Sequence, residues 1–269
     1  MKISKYHGLG NDFIITEFEE NRNYSEIAKD LCRFHVSVGA DGFIVVKKNP
    51  LEMVFYNQDG SEAPMCGNGI RAFAMYAYIN RLVEKTSFDV VTKAGIMKVL
   101  ITSTDINDFR VKINMGKPIF DNEAIKASDN SNYFGKDIVI NNVSYKIYSL
   151  FMGTIHTVLF VDNLEEIIKT NVGEAICNHP LFKEKTNVNF VQKIDDTNYL
   201  IRTYERGVGF TLACGTGACA SFVVLNKLGL KEKEVKMHLT YGNLIISKED
   251  SIYMEGSACH VFDTTMEVK

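Results

Sequence analysis

The 269-residue sequence contains no tryptophan and only four prolines. It also lacks any Cys-x-x-Cys pair, any apolar run near the ~18 residues that span a bilayer, and any excess of one charge. Each absence excludes a class. Scarce proline beside 19 glycines rules out collagen-like and proline-rich chains. With Lys+Arg 30 against Asp+Glu 33, the net charge of -3 exerts no global pull on nucleic acid or an acidic membrane. The opening MKISKYHGLGNDFIIT has no apolar core before a cleavage site, so it is not a secretory signal, and a cytoplasmic protein is expected. Cys32, Cys66, Cys177, Cys214, Cys219 and Cys259 are expected as free thiols, because a chain this long buries enough core without staples. The six histidines are scattered, so no metal site is expected. The run Lys231–Lys236 mixes both signs and reads as a solvated face.

What remains, 46% hydrophobic and 23% charged residues, describes a globular chain long enough for two domains of about 100–150 residues. Short β-prone runs at 2–6, 13–18, 43–46 and 53–56 surround one short helix, Ser25 to Phe34, with Ile27, Ala28 and Leu31 at amphipathic spacing. After Cys66 the period changes. Ile70, Phe73, Ala74, Ala77 and Tyr78 line one face of a helix that runs to about Arg81. Strands follow at 88–92, 96–102 and 110–114. The stretch from Gly116 to Gly135, rich in Asp, Asn, Ser and Lys, is the expected domain boundary. Beyond it, Asn141-Asn142 joins two strands as a tight hairpin, and a helix from about Leu164 to Thr170 precedes strands at 189–193 and 200–204. A helix from about Ala218 to Leu228, ended by Gly229, leads into four final strands.

The two longer helices open on the same motif. Met65-Cys66-Gly67-Asn68-Gly69 starts the first, and Ala213-Cys214-Gly215-Thr216-Gly217 starts the second. Each is set among strands, which predicts two similar α+β halves. A cysteine just before a helix meets unpaired N–H groups and the positive end of the helix dipole; both are expected to favour thiolate. The glycines let backbone N–H groups approach a carboxylate. One such turn suits an anion site or a redox thiol. Two suit proton removal from one face of an amino-acid α-carbon and delivery to the other, with carbanion charge spread onto a firmly held carboxylate.

These residues resemble the diaminopimelate epimerase family, whose members invert a dicarboxylic diamino acid without pyridoxal phosphate. The matching strings are YHGLGNDF (6–13), GADG (39–42), FYNQDGSEAPMCGNGIRAF (55–73), NVNF (187–190) and YERGVGFTLACGTGACA (204–220). The resemblance implies an α+β fold of two pseudo-symmetric domains, each a mixed or antiparallel sheet around a central helix, with the active site in the cleft between them. It implies domains at 1–116 and 117–259, with 260–269 returning to the first. Cys66 would protonate the L,L substrate and Cys214 would deprotonate it. Amides at Gly67, Asn68, Gly215 and Thr216 would hold the reacting carboxylate, and Asn11, Asn57, Asn187, Glu205 and Arg206 occupy substrate-contact positions. Arg206 can pair bidentately with a distal carboxylate, and asparagines can donate to carboxylate and accept from ammonium. The resemblance implies no cofactor, a small amino acid as the one partner, and a homodimer.

Two positions depart from the family pattern. Thr154-Ile155-His156 stands where the family has Asn-Pro-His, and Gly209-Phe210-Thr211 where it has Gly-Glu-Thr. If Phe210 lines the pocket, an aromatic side chain that stacks, such as imidazole, becomes the alternative substrate, making the chain a histidine racemase. His156 could orient the amino group or a catalytic thiol, or make a structural hydrogen bond. A third reading, a non-catalytic amino-acid binding protein, leaves two retained thiols unexplained.

Overall fold

Period-two burial alternating with glycine, asparagine and aspartate turns makes this chain mostly strand. The computed structural model describes residues 1–231 and 233–267. Glu232, in the mixed charge run, and residues 268–269 of the expected returning segment lie outside the described residues. In the first part of the chain the elements are β1 (Lys2–Gly8), β2 (Asn11–Glu17), α1 (Tyr24–Leu31), β3 (Gly42–Lys47), β4 (Glu52–Asn57), β5 (Glu62–Ala63), α2 (Gly67–Ile79), β6 (Ser87–Thr92), β7 (Gly95–Ser103) and β8 (Arg110–Gly116). Next come β9 (Phe134–Ile140), β10 (Val143–Phe151), β11 (Ile155–Phe160), α3 (Leu164–Ile167), α4 (Val172–Cys177), β12 (Asn187–Lys193), β13 (Asn198–Glu205), β14 (Gly209–Thr211) and α5 (Gly215–Lys227). The chain ends with β15 (Glu234–Leu239), β16 (Gly242–Lys248), β17 (Ile252–Ser257) and β18 (Cys259–Thr265).

The chain divides into two units: residues 1–114 with 255 onward, and residues 115–254. In the first, neighbouring strands run β18-β1-β2-β3-β4-β6-β7-β8, with β5 also paired to β4. All pairs are antiparallel except β2–β3 and β4–β6. A parallel pair needs a crossover, and these two crossovers carry α1 and α2. Within the second unit the order is β9-β10-β11-β12-β13-β15-β16, with β14 also on β13. Its parallel pairs are β11–β12 and β13–β15, crossed by α3 with α4 and by α5. The repeat expected from the paired Cys-Gly-x-Gly turns is therefore a repeat of strand order, pairing sense and crossover position.

Local chemistry explains the element ends. Asn23 caps α1, its Oδ1 accepting from the Glu26 N–H, and Tyr24, Ile27, Ala28 and Leu31 form its buried face. The helix stops at Leu31, short of the expected Phe34, because Gly39 and Ala40 donate to the carbonyls of Leu31 and Cys32. Asn141 and Asn142 both have positive φ, as a type I′ hairpin between β9 and β10 requires. The 116–135 stretch is not a bare linker: Ile125 and Tyr133 are buried in the second unit's core, and β-bridges join Ile119 to Phe151 and Ala127 to Phe182. Helices α2 and α5 are each buried along most of their length, which is why both read as apolar on more than one face. No helix among the described residues is long and apolar enough to cross a membrane.

Candidate functional site

In the first unit, Cys66 is the N-cap residue of α2. Its backbone is extended, and its Sγ accepts a hydrogen bond from the Gly69 N–H at 3.4 Å. The N–H groups of Gly67 and Asn68 belong to the first turn, where no helical carbonyl reaches them. Behind this turn lies a polar chain. Asn68 Nδ2 donates to Asn11 Oδ1 at 3.0 Å, and Asn11 Nδ2 donates to Asp41 Oδ2 at 2.6 Å. Asp41 and Asp12 also exchange backbone-to-carboxylate bonds of 3.0 and 2.9 Å, and Lys5 pairs with Asp12 at 2.6 Å while donating to the Gly39 carbonyl. Burial pushes the Asp41 carboxyl above the usual carboxylate range, against the hydrogen bonds from Asn11 and the Asp12 N–H. Asn57, at the end of β4, donates to Ser61 Oγ at 2.9 Å.

In the second unit, Cys214 is the N-cap residue of α5, again extended, and only 6% exposed. Its Sγ and Thr216 Oγ1 share a hydrogen bond at 3.6 Å. The expected thiolate-favouring effect of the helix start does not win at Cys214: burial, then the negative charge of Glu205, pushes its thiol well above the ordinary value. Desolvation of a fully enclosed sulfur outweighs a half-charge of helix dipole. Glu205 Oε1 accepts from Thr211 Oγ1 at 2.6 Å. Asn187 Oδ1 accepts from the Arg206 N–H at 2.9 Å, and the Arg206 guanidinium donates to the Glu184 carbonyl at 3.1 Å.

His156, on β11, is 0% exposed, and its pKa is drawn down to about 3, by burial first and by the positive charge of Arg206 second. Its Nδ1 lies 3.1 Å from Asn189 Nδ2. Thr154, two residues earlier, has its Oγ1 buried without a partner among the described residues. Gly153 lies against the Thr216 methyl: a Cβ there would sit 3.4 Å from it. Gly217 admits no Cβ, because one would fall 2.2 Å from Asn189 Oδ1.

Phe210 is the antiparallel partner of Tyr204 and shares that residue's face of the sheet, and its ring packs on Tyr204 (centroids 5.3 Å apart) and Phe190 (6.1 Å). Tyr204 lies against Gly173 of α4, whereas Thr203 and Asn189, on the other face, lie against Gly217 of α5. Phe210 is therefore a half-exposed extension of the core on the α4 side, away from the helix that Cys214 caps.

The structure thus gathers Cys66, Gly67, Asn68 and Asn11 in the first unit, and Cys214, Gly215, Thr216, Glu205, Arg206 and Asn187 in the second. Sequence reasoning missed Lys5, Asp12, Asp41 and Asn189. Three of these stand inside quoted strings (Asp12, Asp41 and Asn189), but their partners are distant in sequence. Among the described residues no group of three or more His, Cys, Asp or Glu side chains could hold a metal ion, and all six cysteines are free thiols.

A repeated α+β unit with a central helix places the chain in a recognised structural class. Solved structures of this fold include a Bacillus anthracis phenazine biosynthesis protein of the PhzF family (TM-score 0.72, 16% identity, covering 100% of this chain and 99% of that one). Another is a hydroxyproline epimerase from Agrobacterium vitis (TM-score 0.70, 11% identity, covering 98% and 91%). The family model described as diaminopimelate epimerase matches residues 3–120 and 148–261. A diaminopimelate epimerase of Caldanaerobacter subterraneus subsp. tengcongensis is 42% identical with 100% of both chains covered, and one from Clostridium perfringens is 41% identical over 98% and 99%. The chain belongs to the diaminopimelate epimerase family, and it is an isomerase.

Proposed function

We propose that this chain interconverts L,L- and meso-diaminopimelate by proton transfer between Cys66 and Cys214, without pyridoxal phosphate. The observation that carries the reading is the cysteine at the N-cap of the central helix in each repeat. Inversion at an α-carbon needs a base for one face and an acid for the other. A carboxylate accepting from first-turn N–H groups (Gly67 and Asn68, Gly215 and Thr216) can take up the charge that develops when the α-proton leaves. The α-hydrogen is a very weak acid, and the enclosure that raises the Cys214 thiol also makes its thiolate a stronger base than a free one. In the L,L-to-meso direction Cys214 removes the proton and Cys66 delivers one; the roles exchange in reverse. Arg206 supplies a guanidinium for the distal carboxylate, and Asn11, Asn57, Asn187 and Glu205 supply acceptors and donors for the two zwitterionic ends. The histidine alternative rested on the Thr154 and Phe210 departures, and full-length relatives at about 40% identity named diaminopimelate epimerase favour the first reading.

The test is α-hydrogen exchange in deuterated water with purified, reduced protein, comparing L,L-diaminopimelate with L-histidine. Deuterium entering diaminopimelate without added cofactor is the expected result, and none entering either substrate would refute the assignment. Cys66→Ser and Cys214→Ser should each lower the L,L-to-meso conversion about a thousandfold or more, since a hydroxyl is a far poorer acid–base group here. Full activity in either variant would end the two-thiol mechanism.

A further inference from the structure

The two nitrogens of the His156 ring have unlike surroundings. Nδ1 faces Asn189 Nδ2 at 3.1 Å, while Nε2 has no hydrogen-bond partner although the ring is fully buried. Which nitrogen carries the proton follows from Asn189. The same Nδ2 lies 3.2 Å from the Thr157 carbonyl oxygen, which can only accept, so that end of the amide is the NH2 group. The other end, Oδ1, accepts from Thr203 Oγ1 at 2.9 Å and is backed by Gly217 of α5, whose missing Cβ leaves it room. A flipped amide would set oxygen against oxygen at Thr157. With the NH2 fixed, Nδ1 must accept, and a neutral imidazole then carries its proton on Nε2. The ring is kept neutral by burial and by Arg206.

A fully buried N–H without an acceptor is costly, and folds retain such a group when something outside the chain completes it. No atom of the described protein accepts this one. Thr154 Oγ1, two residues earlier and just before β11, is also buried and unpartnered, a second polar group for a ligand to complete. A hydroxyl and an imidazole N–H together suit an oxygen anion. We propose that Asn189 is a positioning residue that locks His156 in the Nε2–H form, and that the acceptor is an anionic oxygen of the bound amino acid. The tautomer stands on the geometry of one unit alone; the acceptor rests on the epimerase reading.

The experiment is nitrogen NMR on full-length, reduced protein labelled at histidine. The free protein should show a protonated Nε2 and an unprotonated Nδ1 for His156. In Asn189→Asp the new carboxylate demands a donor, so the proton should move to Nδ1, with exchange activity toward L,L-diaminopimelate falling about a hundredfold. A protonated Nδ1 in the wild-type chain overturns the tautomer and needs no variant, so it decides the question even if Asn189→Asp does not fold. L,L-diaminopimelate is then titrated into the Cys66→Ser/Cys214→Ser chain, with calorimetry to register binding. A displaced Nε2–H signal on binding supports the substrate oxygen. Binding without displacement, or displacement only when the thiols are present, overturns it in favour of no acceptor or a thiolate. Failure to bind at all refutes the assigned substrate while leaving the tautomer result standing.

Discussion

Behind Cys66, the strands of the first unit place Lys5, Asp12 and Asp41, three ionisable groups linked through Asn11 to Asn68. Behind Cys214, strands β11, β12 and β13 of the second unit place His156, Asn189 and Thr203, all buried and all uncharged. The backbone plan is shared down to the pairing sense of each strand, yet one helix start rests on an ion-pair chain and the other on a neutral amide. A shared backbone plan fixes neither the strands that carry the support nor its chemistry, which is free to differ provided buried polar groups find partners. His156 Nε2 and Thr154 Oγ1, both buried and unpartnered in the second unit, are where the proposed ligand would complete the set.

The comparison can be broken most forcefully at the two motif glycines. Gly217→Ala puts a methyl 2.2 Å from Asn189 Oδ1 and 2.9 Å from Thr203 Oγ1, both held by buried hydrogen bonds. It should cost about 3 kcal/mol in urea unfolding. Gly69→Ala meets Cys66 Cβ at 3.2 Å and Ile44 Cδ1 at 3.4 Å, contacts that yield more easily, and should cost about 1 kcal/mol or less, since alanine also favours the helix. Equal losses would show that the amide behind Gly217 gives way as easily as the apolar contacts behind Gly69.

Lys5→Met probes the charged support. It leaves the Asp12 and Asp41 carboxylates together without their cation, and should destabilise the chain by about 2 kcal/mol, below a fully buried pair because Asp12 keeps some solvent. Unchanged urea unfolding would mean the ion pair holds nothing in place.

Acid separates the units more gently. The His156 pKa is lowered on folding, so its stability contribution is complete above the unfolded value of 6.5 and is lost as pH falls toward about 3. The loss should approach about 1.4 kcal/mol per pH unit in that window. Asp41 has the opposite sign. Its pKa is raised above the unfolded 3.8, so proton binding favours the fold, and its contribution, complete below 3.8, is lost as pH rises through the folded value. Amide protection factors, corrected for the intrinsic pH dependence of exchange, should therefore fall between pH 6.5 and 4.5 more in β11 than in β2, and His156→Gln should remove the difference. A parallel fall in the wild type would contradict the assignment of a neutral, buried imidazole.

Much of this was legible before any coordinates. The two Cys-Gly-x-Gly turns, the helices they open and the long strings shared with one family are local features, readable from adjacent residues. The support behind them was not, because its bonds join residues 30 positions apart at Asn11–Asp41 and 33 apart at His156–Asn189. Asp41 and Asn189 sat inside quoted strings, yet nothing in a string says which side chain an amide will meet. Phe210 shows the same limit: its identity stands out in the sequence, but its face is set by pairing with Tyr204 across a hairpin.

The sequence by itself determined the repeat, the pair of thiols at helix starts and the family, since periodicity and motif order survive in one dimension. Tertiary structure alone decided the protonation of those groups. Whether a helix start lowers a thiol or burial raises it, and which nitrogen of His156 holds the proton, depend on the local dielectric and on hydrogen-bond partners that only folding brings within reach.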